Sequence, residues 1–199
     1  MASGEAARSR GGTEILAELL SSKVRAAVLA FMVAREESRF SLTELSRALD
    51  LSISSVQHEC YKLERLGVLR GRREGASRRY WLDREHGFVP VLMWLVLSVV
   101  GQAELLRYAL SDIEGLEGAL LVREPRPSVT LIGDVGLEAF STVQERVGKI
   151  LEVAPADVDI SFYGSTTWRE RLASGDAVVA RIRAAEPTVI VGDAKTLLP

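Results

Sequence analysis

Apolar residues recur every three or four positions over residues 13–38 and 85–113, which is the spacing of helices with a buried face. The first stretch predicts one long amphipathic helix, or two helices joined near Ser21 and Ser22. Residues 1–12 are small and charged without any such period, so they predict a disordered tail.

A short helix is predicted after these first helices. Ser41 and Glu44 have the spacing of a capping box, in which the serine oxygen accepts a hydrogen bond from the Glu44 N–H. The helix that they open is expected to turn Leu45, Ala48 and Leu49 inward.

A third helix is predicted from about residue 53 to residue 66, after a break at residues 50–52. Ser52 is the expected N-cap residue and Ser54 is the alternative. Gly67 is expected to end the helix in the left-handed conformation, because glycine adopts positive φ without a steric penalty.

One face of this third helix is apolar, and Cys60 lies on it, which favours a core thiol over a redox sensor. The opposite face is polar, small at its N-terminal end and rich in hydrogen-bond donors. Such a face suits the DNA major groove, because short residues let backbone N–H groups reach phosphates and longer ones reach base edges. The polar face comprises Ser54, His58, Tyr61 and Arg65, flanked by Ser55, Gln57 and Lys62.

Two short strands, at residues 68–70 and 79–82, are predicted next, joined by a glycine-containing hairpin tip. Residues 62–82 hold seven basic and two acidic side chains, a net charge of +5 in a chain whose total is −2. That total excludes a globally basic nucleic-acid binder. The local asymmetry is nevertheless typical of a surface that binds a polyanion.

Residues 13–82 resemble the winged helix-turn-helix domain of small bacterial and archaeal repressors. The resemblance lies in the short helix, the tight turn, the recognition helix that ends Leu-Gly-Val-Leu, and the hairpin that closes on an aromatic residue. It implies binding to double-stranded DNA, while a solvated surface or a protein-docking module is the alternative. The expected DNA-binding residues are Thr43, Ser52, Ser54, Ser55, Gln57, His58, Lys62, Arg70, Arg72, Arg73, Arg78 and Arg79.

These residues have different expected roles. Gln57 and His58 are expected to contact base edges, and the wing arginines to contact the backbone or the minor groove. The phosphate-positioning residues of the recognition helix are expected to be Ser52, Ser54, Ser55 and Lys62.

The stretch over residues 85–113 is expected to be one long helix that is apolar all round, so more than one of its faces must be buried. Its longest apolar run, residues 88–100, is about 13 residues, whereas a membrane span needs about 20. Contact between two chains is then the simplest solution, with the recognition helices about 34 Å, or a multiple of it, apart. The expected homodimer interface comprises Phe88, Val91, Leu92, Trp94, Leu95 and Val99.

Strands and helices alternate in the second half, which predicts a small α/β domain. Strands are expected at residues 119–122, 128–132, 158–162 and 188–191, and helices at residues 135–151 and 167–185. The layout resembles prokaryotic regulators in which a winged helix and a long helix precede a nucleotidyltransferase-like domain. In active members a Gly-Ser turn after the first strand cradles phosphate, and two aspartates on the second strand hold Mg²⁺.

This chain lacks those groups. Arg123 and Glu124 stand where the Gly-Ser turn is expected, and Arg126 and Ser128 stand where the two aspartates are expected. An arginine repels Mg²⁺, so the resemblance implies an inactive domain without catalytic residues, metal or cofactor. Residual nucleotide transfer is the less favoured alternative.

One cysteine and two histidines exclude a disulfide framework and a multi-cysteine zinc site, and disfavour a histidine-based metal centre. No signal peptide is expected, and the predicted location is cytoplasmic and nucleoid-associated. The expected fold is α+β, with a winged helix-turn-helix domain over residues 13–84, a dimerisation helix over 85–113 and the degenerate domain over 114–199. The predicted function is transcriptional regulation, with no enzymatic activity; a small-molecule effector or protein partner of the last domain stays open.

Overall fold

The structure, a computed structural model, describes residues 11–123 and 126–199. It contains two compact units that divide between Gly101 and Gln102. The disordered tail expected over residues 1–12 lies outside the described residues except for its last two positions, and helix α1 already begins at Gly12.

The first unit begins with two helices, α1 (Gly12–Leu20) and α2 (Lys23–Ala34). The sequence leaves open one long helix or two joined helices, and the structure contains two. Ser21 ends α1 at a left-handed φ of 54°. Ser22 then caps α2, because its side chain accepts a hydrogen bond from the Arg25 N–H at 3.1 Å.

A short strand, β1 (Phe40–Ser41), leads into α3 (Leu42–Leu49), and α4 (Ile53–Arg65) follows. The capping box is present, since Ser41 Oγ accepts from the Glu44 N–H and the Glu44 carboxylate accepts from the Ser41 N–H at 2.8 Å. Strand β1 is too short to be recognised in the sequence.

Both ends of α4 are those that the sequence predicts. Ser52 is the N-cap, and its Oγ accepts a hydrogen bond from the Ser55 N–H at 3.2 Å. Gly67 has a φ of 74°, and the Val68 N–H donates to the Leu63 carbonyl at 2.9 Å. This bond satisfies a carbonyl in the last turn of the helix.

The hairpin consists of β2 (Leu69–Glu74) and β3 (Ser77–Leu82), and the sheet order is β1-β3-β2 with antiparallel pairing. The strands are longer than expected, so the turn comprises only Gly75 and Ala76. The order of these helices and strands, together with the central position of β3, is that of a winged helix-turn-helix domain.

The core of this unit forms around α2, of which eight residues are buried. The Phe31 ring packs against the Phe40 ring at 5.0 Å between centroids, and the Arg35 guanidinium lies 4.6 Å from it. Leu45 is the buried residue of α3. The inward position expected for Ala48 is wrong, because Ala48 is exposed, whereas Leu49 is half-buried.

The single helix expected over residues 85–113 is also wrong. The structure has α5 (Val89–Val100) in the first unit and α6 (Gln102–Leu110) in the second. Gly101 separates them at a φ of 84°, which an α-helix cannot contain. Among the described residues no single helix is long and apolar enough to cross a membrane; only these two helices, counted together across their break, reach that length and composition.

The second unit contains all four predicted strands, which are β4 (Leu116–Val122), β5 (Ser128–Gly133), β6 (Asp159–Tyr163) and β7 (Thr188–Val191). Its sheet order is β6-β5-β4-β7. Strands β5 and β6 are parallel, and the other pairs are antiparallel. The helix expected over residues 167–185 is two helices, because Gly175 turns the chain at a φ of 65°. The helices that follow α6 are α7 (Ala139–Leu151), α8 (Ser165–Ser174), α9 (Ala177–Ala184) and α10 (Ala194–Leu197). A 3-10 turn (Pro155–Asp157) precedes β6.

Candidate nucleic-acid interface

Helix α4 presents the polar face that the sequence predicts. The side chains that define this face are exposed, while its apolar stripe is buried, with Val56 and Cys60 both at 0% exposure. No described residue of the first unit covers the polar face. The exposed residues are Ser54, Gln57, His58, Tyr61 and Arg65.

The inner side of α4 carries an ion-pair cluster that sequence reasoning missed. The Glu59 carboxylate is nearly buried, and it accepts hydrogen bonds from Arg25 Nε at 2.8 Å and from Ser22 Oγ at 3.3 Å. Lys62 Nζ lies 3.5 Å from it. Burial raises the pKa of Glu59, but the bonds to Arg25 and the positive charges outweigh burial and hold that pKa below its ordinary value. Glu59 therefore anchors α4 to the start of α2.

Cys60 is a core thiol. Burial, with the charges of Glu59 and Glu64, raises the pKa of Cys60 to about 12. A thiol with that pKa is protonated near neutral pH and is a poor nucleophile. This agrees with the sequence prediction of a packing role.

The serines at the start of α4 bond to one another. Ser52 Oγ donates to Ser55 Oγ at 2.7 Å and lies 3.2 Å from Ser54 Oγ. Ser52 caps the helix and Ser55 is half-buried, whereas Ser54 is exposed in the first turn. Thr43 is exposed in the first turn of α3.

The wing arginines fall into two groups. Arg70 Nε donates to Asp83 at 2.8 Å, Arg78 pairs with Glu64 of α4, and Arg79 pairs with Glu44 of α3. Arg72 and Arg73 are exposed, and neither forms an ion pair within the part of the chain that the structure describes. The five arginines expected to bind DNA thus comprise three paired and two unpaired cations.

The pair with Arg79 contributes to a lowered pKa of the Glu44 carboxyl group. Burial works to raise the pKa of Glu44, but hydrogen bonds from the Ser41 backbone and the Arg79 guanidinium dominate and lower it. The acidic partners lie 14 and 35 residues from their arginines in the sequence, so no local pattern could have revealed them.

Two further cations of this unit went unremarked in the sequence. Arg39 pairs with Glu74, and its guanidinium lies 4.4 Å from the centre of the Trp81 ring. Arg47 is exposed in the last turn of α3. Glu44 balances Arg47 within α3, so this helix adds no net charge to that of the hairpin.

Helix α5 buries one stripe and leaves the rest of its apolar surface open. Val91 and Trp94 are 67% and 64% exposed, and Phe88, just before the helix, is 44% exposed. The remaining predicted interface residues, Leu92, Leu95 and Val99, are half-buried. The buried stripe is formed by Val89, Met93, Val96 and Val100.

In the second unit, Ser128 begins β5 and Arg126 lies just before it, while Glu124 lies outside the described residues. The residues that the structure describes contain no group of three or more His, Cys, Asp or Glu side chains arranged to hold a metal ion.

No protein-family model matches this sequence, and no curated protein matches it. Solved structures with a partial likeness include two prokaryotic proteins. Reduced HlyU from Vibrio cholerae has a TM-score of 0.34 and 23% identity, over 44% of this chain and 86% of that one. The transcriptional regulator BldR from Sulfolobus solfataricus has a TM-score of 0.35 and 19% identity, over 52% of this chain and 71% of that one. These values are too low to carry an argument about function.

Proposed function

We propose that the protein is a transcriptional regulator that binds double-stranded DNA sequence-specifically as a homodimer. The observation that carries this proposal is the uncovered polar face of α4 beside a hairpin with unpaired arginines. A helix of this kind fits the major groove, and arginines of a neighbouring hairpin fit the phosphate backbone or a narrow minor groove.

In this proposal Gln57 and His58 read base edges, since both lie exposed near the middle of the polar face. Thr43 and Ser54 contact phosphates from the first turns of α3 and α4, where backbone N–H groups add to the attraction. Lys62 adds positive charge on the flank of the helix, shared with Glu59.

The homodimer is proposed to form through the open surface of α5. Apolar side chains as exposed as Val91 and Trp94 mark an interaction surface when they lie together on one helix. Helix α1 packs closely on α5, since a Cβ at Gly12 would lie 2.1 Å from the Val100 carbonyl oxygen. Ile15 and Leu19 of α1 are exposed as well, at 41% and 59%, and would enlarge the interface.

The second unit is proposed to be a nucleotidyltransferase-like domain without catalytic activity. Two antiparallel strands, followed by a helix and a third strand parallel to the second, support the resemblance. Arg126 and Ser128 at the expected metal positions argue against Mg²⁺ binding. Its role would be to receive a small-molecule effector or a protein. A location with the chromosome in the cytoplasm follows from the proposed DNA partner.

The proposal is tested by fluorescence-anisotropy binding to a genomic duplex library across a salt series, followed by footprinting of the tightest fragment. We expect salt-sensitive binding and a footprint with two-fold symmetry. Gln57→Ala and His58→Ala should reduce discrimination between sites, with Glu117→Gln in the second unit as the control substitution. Absence of binding at low salt would favour the alternative, a protein-docking module.

Two companion measurements test the other parts. Light scattering after size-exclusion chromatography should give twice the chain mass, and Trp94→Ser should shift it towards the monomer. Thermal unfolding with Mg²⁺ and nucleoside triphosphates should show no stabilisation of the second unit. A clear rise in its melting temperature would instead support nucleotide binding.

A further inference from the structure

Four arginines lie at two adjacent cross-strand positions of the wing. Arg72 pairs in register with Arg79, and Arg73 with Arg78, so each pair of like charges shares one face of the hairpin. Like charges directly opposite one another destabilise a hairpin unless one of them is neutralised. At both positions the arginine of β3 pairs with a carboxylate, whereas the arginine of β2 has no acidic partner among the described residues.

The neutralising carboxylates come from both helices of the helix-turn-helix. Glu64 of α4 pairs with Arg78 on one face of the hairpin, and Glu44 of α3 pairs with Arg79 on the other face. The four side chains are between 27% and 47% exposed, so both pairs are partly shielded from water. The hairpin is therefore tied to the recognition helix on one side and to α3 on the other.

The backbone makes room for the first of these pairs. A Cβ at Gly71 would lie 2.7 Å from Arg78 Nε and 2.8 Å from Glu64 Oε1, so a side chain at this position would displace the ends of both paired side chains. The Arg78 guanidinium also lies 5.7 Å from the centre of the Tyr80 ring. The Arg78–Glu64 pair therefore lies between Gly71 and the Tyr80 ring.

Resting on the proposed DNA-binding function, we infer that the wing arginines divide by role: Arg72 and Arg73 contact phosphates, whereas Arg78 and Arg79 are positioning residues that hold the wing against α4 and α3. A neutral Arg–Glu pair releases no net counterions from DNA, since its carboxylate offsets the arginine charge. Arg73 donates only to the Gly75 carbonyl, at 3.5 Å, and its charge is uncompensated among the described residues.

The test compares the salt dependence of binding between variants that remove one unpaired arginine and variants that remove a whole ion pair. Arg72→Gln and Arg73→Gln should each make the log–log slope shallower by about 1, so the loss of affinity between 50 and 200 mM salt shrinks about fourfold. The double variants E64Q/R78Q and E44Q/R79Q remove a pair without changing net charge. They should bind more weakly at every salt concentration with an unchanged slope. Glutamine at position 44 still supplies the capping group of α3.

The charge-reversed variant E64R/R78E gives a second readout. It restores a pair between α4 and the wing, so its affinity should exceed that of E64Q/R78Q and approach that of the unmodified protein. Thermal unfolding of each variant checks that the first unit stays folded.

The inference is overturned if E64Q/R78Q loses the same slope as Arg73→Gln, or if Arg73→Gln leaves the slope unchanged. A different result would be that the unmodified protein shows no salt-dependent binding to DNA. It would remove the proposed DNA-binding function itself, and so the two failures are distinguishable.

Discussion

Helices α2 and α5 have the same length and are both strongly apolar, yet they are buried to different extents. Eight of the 12 residues of α2 are buried, but only four of the 12 in α5 are, although α5 is the more apolar helix. Helix α2 is enclosed by the other elements of its unit, whereas α5 lies at the edge, where one stripe suffices for packing. The apolar surface of α5 that the described residues of the first unit leave open is a candidate interaction surface.

The largest expected effect belongs to the buried helix. Phe31→Ala removes a ring that packs on Phe40 and on the Arg35 guanidinium, and it leaves a cavity. We expect the free energy of unfolding of the first unit to fall by about 3–5 kcal/mol, measured by urea denaturation. A loss below about 1 kcal/mol would show that α2 is less tightly enclosed than the structure has it.

Neighbouring residues of α5 provide the second, matched comparison. Met93 is buried and Trp94 is 64% exposed. Met93→Ala should reduce the free energy of unfolding by about 2–4 kcal/mol. Trp94→Ala should change it by less than about 0.5 kcal/mol in dilute protein, where self-association contributes nothing, and should weaken the proposed homodimer. Equal losses for both variants would contradict the one-sided packing of α5.

The ion pairs that anchor α4 give a smaller effect. Glu59→Gln leaves the shape nearly unchanged but removes the charge that pairs with Arg25 and Lys62. We expect a loss of about 1.5–3 kcal/mol in urea denaturation, because a charge-assisted bond at a nearly buried group is broken. Glu117→Gln in β4, where the side chain is exposed, serves as the control for loss of a carboxylate outside this cluster.

The smallest expected effect is the loss of the Glu59 contribution to stability at acidic pH. The pKa of Glu59 is held below its ordinary value of 4.5, so its stabilisation is complete above that pH and is lost as the pH falls through the lowered value. Urea denaturation between pH 7 and about pH 3 should show a steeper loss in the unmodified protein than in Glu59→Gln. Parallel curves would mean that other carboxylates dominate the acid response; Glu44 shares the direction but is more exposed.

Much of the candidate interface follows from local sequence. Ser41, Ser52 and Gly67 set the ends of α3 and α4 through short-range hydrogen bonds and a left-handed residue, and these were predictable. The 3.6-residue period places Cys60 inside and His58 outside for the same reason. The break at Gly101 was missed, because a single glycine within an apolar run does not by itself end a helix.

The sequence by itself determined the ends of α3 and α4, the hairpin, the four strands of the second unit, the polar face of α4 and the excess of positive charge over residues 62–82. Only the tertiary structure decided which of those charges are neutralised. The Arg78–Glu64 and Arg79–Glu44 pairs join elements that are distant in sequence, and packing of the hairpin on α3 and α4 brings them together. Ion pairing depends on distances of a few ångströms, which composition and periodicity do not contain.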